Sequence, residues 1–109
     1  MEGAISKNVA DKEESPRHDG ARRVDKMVGV SLRNLRKARG WSAREVGDAM
    51  GMVGQNIYRH EQGERSLSIY YLLKYERLYN VSIERIIYGE KIRSKKSPAP
   101  SKVLLEFDD

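Results

Sequence analysis

One stretch of the chain, residues 41–63 (WSAREVGDAMGMVGQNIYRHEQG), constrains the fold more than any other part. Ser42 and Glu45 have the spacing of a capping box, in which each side chain satisfies a backbone amide in the first turn of a helix. Gly51 stands where that helix must end, because glycine adopts a left-handed backbone at little cost. A second short helix is predicted over residues 54–62. The pattern indicates two short helices joined by a tight turn.

Three further helices are predicted around this pair. The first covers about residues 28–39, where apolar side chains recur at helical spacing. The fourth covers about residues 69–79, and the fifth follows Ser82 and is closed by Gly89. The inward stripe of the fourth helix is predicted to consist of Ile69, Leu72, Leu73 and Tyr79. The sequence therefore predicts an all-α domain of five short helices.

Two residues of the central stretch are interpreted as packing residues. Trp41 links the first two helices, and we expect it to point into the core rather than to serve as a functional aromatic. Gly47 lies inside a predicted helix, where glycine costs about 1 kcal/mol relative to alanine. A close contact between two helices at Gly47 would require so small a residue, and this explains why the cost is tolerated.

The chain divides into one small domain and two tails. Residues 1–26 contain few large apolar side chains, so they are predicted to form a flexible arm. Residues 27–90 form the domain, and residues 91–109 form a basic, proline-containing C-terminal tail. The apolar end of that tail, VLLEFDD, either adds a strand, docks on a protein partner or stays loose. We expect it to be loose, and we expect the KIRSKKSPAPSK segment before it to be disordered.

The net charge of +5, with a pI near 9.6, suits a polyanionic partner such as DNA. Solubility alone is the alternative explanation of this charge. Three cations lie beside the domain and either follow a DNA backbone, enter a minor groove or remain solvated: Arg22, Arg23 and Lys26.

Several classes of function are not expected. The chain has no cysteine, which excludes disulfides and cysteine-based zinc sites. Its two histidines, His18 and His60, lack the spacing of metal ligands, so neither a metal nor a cofactor is expected. No apolar run approaches the roughly 20 residues of a membrane span, and no arrangement of catalytic residues is visible. We expect a soluble intracellular protein that is not an enzyme.

The order and spacing of these elements resemble the Cro/C1-type (XRE-like) helix-turn-helix family of transcriptional regulators. The resemblance rests on four segments in order, LRNLRKARGWS, REVGDAMGM, NIYRHEQGER and YNVSIERIIYG. It implies a compact five-helix, lambda-repressor-like DNA-binding domain. It also implies a homodimeric regulator, most simply a repressor, in the cytoplasm of a prokaryote or in a phage-infected cell.

The resemblance also implies a set of functional residues, because in this family the third helix enters the major groove of duplex DNA. Gln55 has a physical argument of its own, since a side-chain amide can pair with adenine in a bidentate manner. The implied base contacts are Gly54, Gln55, Asn56 and Arg59. The implied phosphate contacts are Arg36, Arg44, Tyr58, Gln62 and Arg65. An ion pair between Arg36 and Glu61 and a dimer surface of Ile83, Ile87 and Tyr88 complete the set.

Five positions depart from the usual family pattern, namely Leu67 in place of a frequent proline, Glu76 in place of a frequent small residue, and three positions in the central stretch. Ala43 replaces a glutamine that commonly binds a phosphate, and Arg44 is the candidate substitute. Val53 replaces the usual serine or threonine cap of the third helix, and Gly54 replaces a polar side chain. These departures motivate an alternative function, a protein-interaction module such as an antitoxin or an accessory regulator with weak DNA binding.

Overall fold

The structure is a computed structural model that describes residues 18–89 and 95–108. Within these ranges the regular elements are five helices and no strand, as the sequence predicts. The helices are α1 (Asp19–Arg39), α2 (Ala43–Met50), α3 (Gly54–Gln62), α4 (Ile69–Tyr79) and α5 (Ile83–Tyr88). In the part of the chain that the structure describes, no helix combines the length and the apolar character that a membrane span requires.

The helix boundaries follow local chemistry. The Ser42 side chain accepts a hydrogen bond from the Glu45 amide at 3.0 Å, and Glu45 accepts one from the Ser42 amide at 2.8 Å. This is the predicted capping box of α2. Gly47 approaches the following turn so closely that a Cβ added there would lie 2.5 Å from the Met52 carbonyl oxygen. The close approach predicted at Gly47 is therefore confirmed, and its neighbours are both the turn and the first residue of α3, whose amide nitrogen would lie 3.1 Å from that Cβ.

The core forms where the five helices meet. Trp41 lies in it, as predicted, and its ring stacks on Tyr79 with 5.7 Å between the ring centroids. The inward stripe predicted for α4 is partly wrong, because Ile69 is exposed and Tyr75 is buried instead. The hydrophobicity pattern underrated the tyrosines, whose rings are apolar even though they carry a hydroxyl group. The fully buried side chains are Leu32, Leu35, Val46, Met50, Ile57, Tyr75, Tyr79 and Ile86.

Helix α1 starts well before the predicted boundary. The prediction of a flexible arm is wrong for residues 19–26, which are helical, and it falls outside the described residues for 1–17. His18 caps the helix, since its Nδ1 accepts a hydrogen bond from the Gly20 amide at 3.0 Å. Further along, the Asp25 carboxylate accepts hydrogen bonds from the Ser66 hydroxyl at 2.8 and 3.0 Å. These contacts stabilise the helical conformation of residues 19–26, a charged segment in which the pattern of apolar residues does not predict a helix.

The C-terminal segment also differs from the prediction. Residues 95–108, here called the strap, contain no helix or strand but lie against the domain. The Lys95 amide donates to the Ala38 carbonyl at 2.7 Å, and the Val103 amide donates to the Ala49 carbonyl at 2.8 Å. The expectation of a loose tail is therefore wrong for these residues. The physical reason is that the ends of α1 and α2 leave carbonyl groups without helical partners, and the strap amides satisfy them.

Apolar contacts also hold the strap. Val103 and Leu105 are buried, whereas Leu104 between them is exposed. The indole nitrogen of Trp41 donates to the Pro98 carbonyl at 2.9 Å. The strap thus covers one edge of the core tryptophan.

Candidate nucleic-acid interface

Helix α3 is held by one face and exposed on the other. Ile57 and Glu61, four residues apart, are its buried side chains. The opposite face exposes four polar or aromatic side chains, Gln55, Tyr58, Arg59 and Gln62. Gly54 and Asn56 are half-buried at the start of the helix. This arrangement presents hydrogen-bonding groups outward from a rigid support, although the individual DNA contacts of these residues remain predictions.

Arg36 and Glu61 form the central polar contact beneath α3. The Arg36 Nε lies 2.7 Å from Glu61 Oε2, and the two side chains are only 8% and 3% exposed. Arg36 Nη1 also donates to the Trp41 carbonyl oxygen at 3.0 Å. The hydrogen bond to Glu61 raises the pKa of Arg36, against an opposing effect of burial. Because Arg36 donates its hydrogen bonds to Glu61 and to the Trp41 carbonyl oxygen, its geometry suits positioning of α3 better than direct binding of a phosphate.

Tyr58 lies at the outer side of this ion pair. Its ring centroid is 5.6 Å from the Arg36 guanidinium carbon, which is within the range of a cation–π contact. About half of the Tyr58 side chain remains exposed. Tyr58 therefore both covers Arg36 and offers its hydroxyl group to solvent.

The start of α3 lacks a side-chain cap. Val53 occupies the N-cap position and makes no capping hydrogen bond. Gly54 lies against the first turn of α2, where an added Cβ would be 3.4 Å from the Arg44 amide nitrogen. Arg44 itself is exposed. The N-terminus of α3, which has no side-chain cap, thus lies beside the first turn of α2, from which Arg44 is exposed, and this is a favourable setting for an anion.

A groove of about 630 Å³ runs along the other flank of α3. Asn56, Arg59 and Arg65 contribute to its wall, together with the loop that leads to α4. At its base, His60 Nδ1 lies 2.8 Å from the Tyr75 hydroxyl oxygen. Burial lowers the pKa of His60, while the Glu61 carboxylate acts in the opposite direction. The groove combines two cations, Arg59 and Arg65, with one carboxylate, Glu64, and polar loop atoms.

The predicted dimer residues have different environments. Ile83 and Ile87 are half-buried, Tyr88 is exposed, and Ile86 between them is fully buried. Ile87 also lines an apolar groove with Val24 of α1. The exposed portion of α5 thus continues onto the N-terminal half of α1.

The sequence interpretation missed the contribution of this N-terminal half of α1. Lys26 Nζ donates to the Gln62 carbonyl oxygen at 3.3 Å, at the end of α3. Gly63 is packed against the backbone of Asp25, where a Cβ would lie 2.7 Å from the carbonyl oxygen. Only the regular spacing of Val24, Val28 and Leu32 hinted that the helix extends this far.

Comparison with known proteins gives one match. The family model described as helix-turn-helix matches residues 32–86, which is half of the chain and contains α2 and α3 whole. The comparisons found no matching protein among curated proteins and no matching solved structure. The family is one of DNA-binding regulators and is not typically enzymatic. With five helices in the expected order and a matching family model, this chain belongs to the Cro/C1-type helix-turn-helix family.

Proposed function

We propose that this protein is a sequence-specific transcriptional regulator, most simply a repressor, that inserts α3 into the major groove of duplex DNA. Gln55, Asn56 and Arg59 are the proposed base contacts, with Gly54 allowing close approach of the backbone. Arg44, Tyr58, Gln62 and Arg65 are the proposed phosphate contacts, and Arg36 acts chiefly by orienting α3. The proposed setting is the cytoplasm of a prokaryote or of a phage-infected cell.

One observation carries this proposal. Helix α3 buries Ile57 and Glu61 and leaves Gln55 and Arg59 exposed on its outer face. Both exposed residue types recognise base edges, glutamine by pairing with adenine and arginine by pairing with guanine. Because the Arg36–Glu61 pair joins α3 to α1, the helix backbone that carries these outer side chains is held in a fixed orientation.

The test is selection of binding sites from a random duplex library, followed by competition against random DNA at physiological salt. A specific regulator should prefer its selected site by at least about a thousandfold. Equal affinity for selected and random duplexes would contradict the proposal. Crosslinking of the protein to DNA across the genome would then identify the natural sites.

Alanine variants connect the selectivity to α3. Gln55→Ala and Arg59→Ala should each lower the preference for the selected site, by about 1–3 kcal/mol per lost bidentate contact. Arg77→Ala is a matched control, because Arg77 is exposed on α4 and lines a different groove. The control should bind the selected site as the unaltered protein does.

We propose further that the regulator acts as a homodimer through α5. One short helix contacts too few base pairs for genomic selectivity, and paired helices contact half-sites about 34 Å apart. Exposed Tyr88 and half-buried Ile83 and Ile87 supply the apolar surface. Tyr88→Lys should shift sedimentation toward the monomer and weaken binding to a two-half-site duplex.

A second function has its own supporting observation. The strap exposes Leu104 and Phe107, at 58% and 59%, on the surface of the domain. Exposed apolar side chains of this size suit contact with a protein partner, as in an antitoxin or accessory regulator. A combined Arg44→Ala, Gln55→Ala and Arg59→Ala variant separates the two functions. Unchanged biological activity in that variant would favour the protein-interaction module.

A further inference from the structure

The strap anchors one lysine firmly at the end of α1. The amides of Lys95 and Ser97 donate to the carbonyl oxygens of Ala38 and Arg39, at 2.7 and 3.0 Å. Lys96 lies between these two anchors, and its side-chain stem crosses Gly40. A Cβ added to Gly40 would lie 3.1 Å from Lys96 Cγ. The backbone that carries Lys96 is therefore held in place on both sides.

This anchored lysine extends a stripe of α1 that runs beside α3. Residues 29, 33, 36 and 40 recur at intervals of three and four and so share one side of α1. Gly29 packs on the Glu61 backbone, and Arg36 forms the ion pair with Glu61. Arg33 lies between these two contacts, and Gly40, where Lys96 crosses, comes next. The stripe consequently runs beside the proposed DNA-binding helix, and Lys96 lies at the C-terminal end of the stripe, about one helical turn beyond Arg36.

The flank that α1 and the strap form carries several exposed cations. Arg33, Lys37, Lys95 and Lys96 are all exposed. Among the residues that the structure describes, none of these four side chains forms an ion pair or a hydrogen bond. Four exposed cations along α1 and at its C-terminal end, unpaired among the described residues, form a surface suited to a polyanion.

We propose that the strap supplies a second contact with the DNA backbone, in which Lys95 and Lys96 extend the Arg33–Lys37 side of α1 onto phosphates beside the major groove. The inference rests on the proposed DNA-binding function and adds residues outside the matched family segment. Lysines contact phosphates as point charges, so the surface strengthens binding without specifying sequence. The strap thereby becomes part of the binding site as well as of the fold.

The test uses the full chain with Lys95→Gln and Lys96→Gln combined. Binding to a selected duplex and to a random duplex is measured by fluorescence anisotropy at several salt concentrations. Affinity for both duplexes should fall by the same factor, roughly fivefold per lysine near 0.15 M salt, because each lost phosphate contact removes about 0.9 from the salt slope. Arg77→Gln combined with Lys102→Gln is the control, since it removes the same charge at exposed positions around another groove.

The outcomes distinguish this inference from the function on which it rests. If the unaltered protein shows no selected site, the proposed function fails. If it binds selectively and the Lys95–Lys96 variant keeps the original salt slope, only the second contact is overturned. An equal change of slope in the control variant would also overturn it, since the effect would then reflect net charge alone. A lower melting temperature with an unchanged slope would assign the lysines a purely structural role, which likewise overturns the inference.

Discussion

Arg36 Nε lies 2.7 Å from Glu61 Oε2, and Arg36 Nη2 lies 3.0 Å from Glu61 Oε1, so two parallel hydrogen bonds join α1 to α3. Both residues are buried, and Arg36 additionally donates to the Trp41 carbonyl oxygen. This bidentate geometry limits rotation of α3 against α1. The pair therefore links the scaffold to the helix proposed to bind DNA.

Glu61→Gln should destabilise the fold by roughly 3 kcal/mol, because it leaves the buried Arg36 guanidinium without a counter-charge. Urea denaturation measures this loss. Replacing both residues by methionine should cost much less than the sum of the two single replacements, since no uncompensated charge remains. A loss below about 0.5 kcal/mol for Glu61→Gln would mean that the pair behaves as a surface ion pair.

Val53→Ser should stabilise the protein by about 1 kcal/mol. The N-cap of α3 lacks a side-chain hydrogen bond, and Val53 is exposed, so a serine hydroxyl can accept from the first turn without loss of core packing. Thermal or urea unfolding measures the gain. Ser42→Ala is the complementary variant, since it removes an existing N-cap from α2. It should lower the free energy of unfolding by about the same amount. A destabilised Val53→Ser protein would contradict this reasoning.

Gly29→Ala should destabilise the fold by about 3 kcal/mol, because a Cβ at Gly29 overlaps the Glu61 carbonyl group where α1 crosses α3. Backbone atoms cannot move aside as a flexible side chain does. Gly54→Ala is the control, since its Cβ meets only ordinary contacts at 3.4 Å or more, and its stability should change by no more than about 0.5 kcal/mol. Equal urea midpoints for the two variants would refute the close crossing.

The sequence predicted the centre of the fold well because local chemistry decides it. The Ser42–Glu45 capping box, the left-handed glycines at 40, 51 and 63 and left-handed Asn80 each act over a few residues. The missing cap at Val53 followed from the residue type alone.

Long-range contacts explain what the sequence could not predict. Asp25 is held by Ser66, and the strap is held by the carbonyl groups of Ala38 and Ala49. Neither contact leaves a periodic signal in the sequence. The environment of α4 was missed for a related reason, because Tyr75 becomes a core residue only when Tyr79 and His60 pack against its ring.

Leu105→Ala should cost about 2–3 kcal/mol, because Leu105 is a buried side chain of the strap and its loss leaves a cavity. Urea unfolding followed by the fluorescence of Trp41, the single tryptophan, measures it directly. Leu104→Ala is a control of the same chemistry one residue away. Since Leu104 is exposed, its replacement should change stability by less than about 0.5 kcal/mol. Similar costs for the two variants would show that the strap does not pack as described.

His60 should make the fold sensitive to mild acid. Burial lowers its pKa below the usual 6.5, although the neighbouring Glu61 carboxylate opposes that shift. As the pH falls below the usual pKa of 6.5, the His60 imidazole is therefore protonated more readily in the unfolded chain than in the folded one. Since the unfolded state then binds more protons, the free energy of unfolding decreases toward acid. The stability that depends on neutral His60 is fully present above the usual pKa of histidine. It is lost progressively as the pH falls toward the lower pKa that His60 has in the folded state.

His60→Gln removes this titration, and the effect is measured as the free energy of unfolding between about pH 7 and pH 5. Both proteins also carry His18→Asn, because asparagine is a good N-cap. His60 is then the only histidine of the first protein, and the His60→Gln protein has none. The groups that face His60 are Glu61, Tyr71 and the Tyr75 hydroxyl, and all three are retained. The protein with His60 should lose stability more steeply toward acid than the His60→Gln protein. Parallel pH profiles would mean that His60 is protonated equally easily in the folded and unfolded chains.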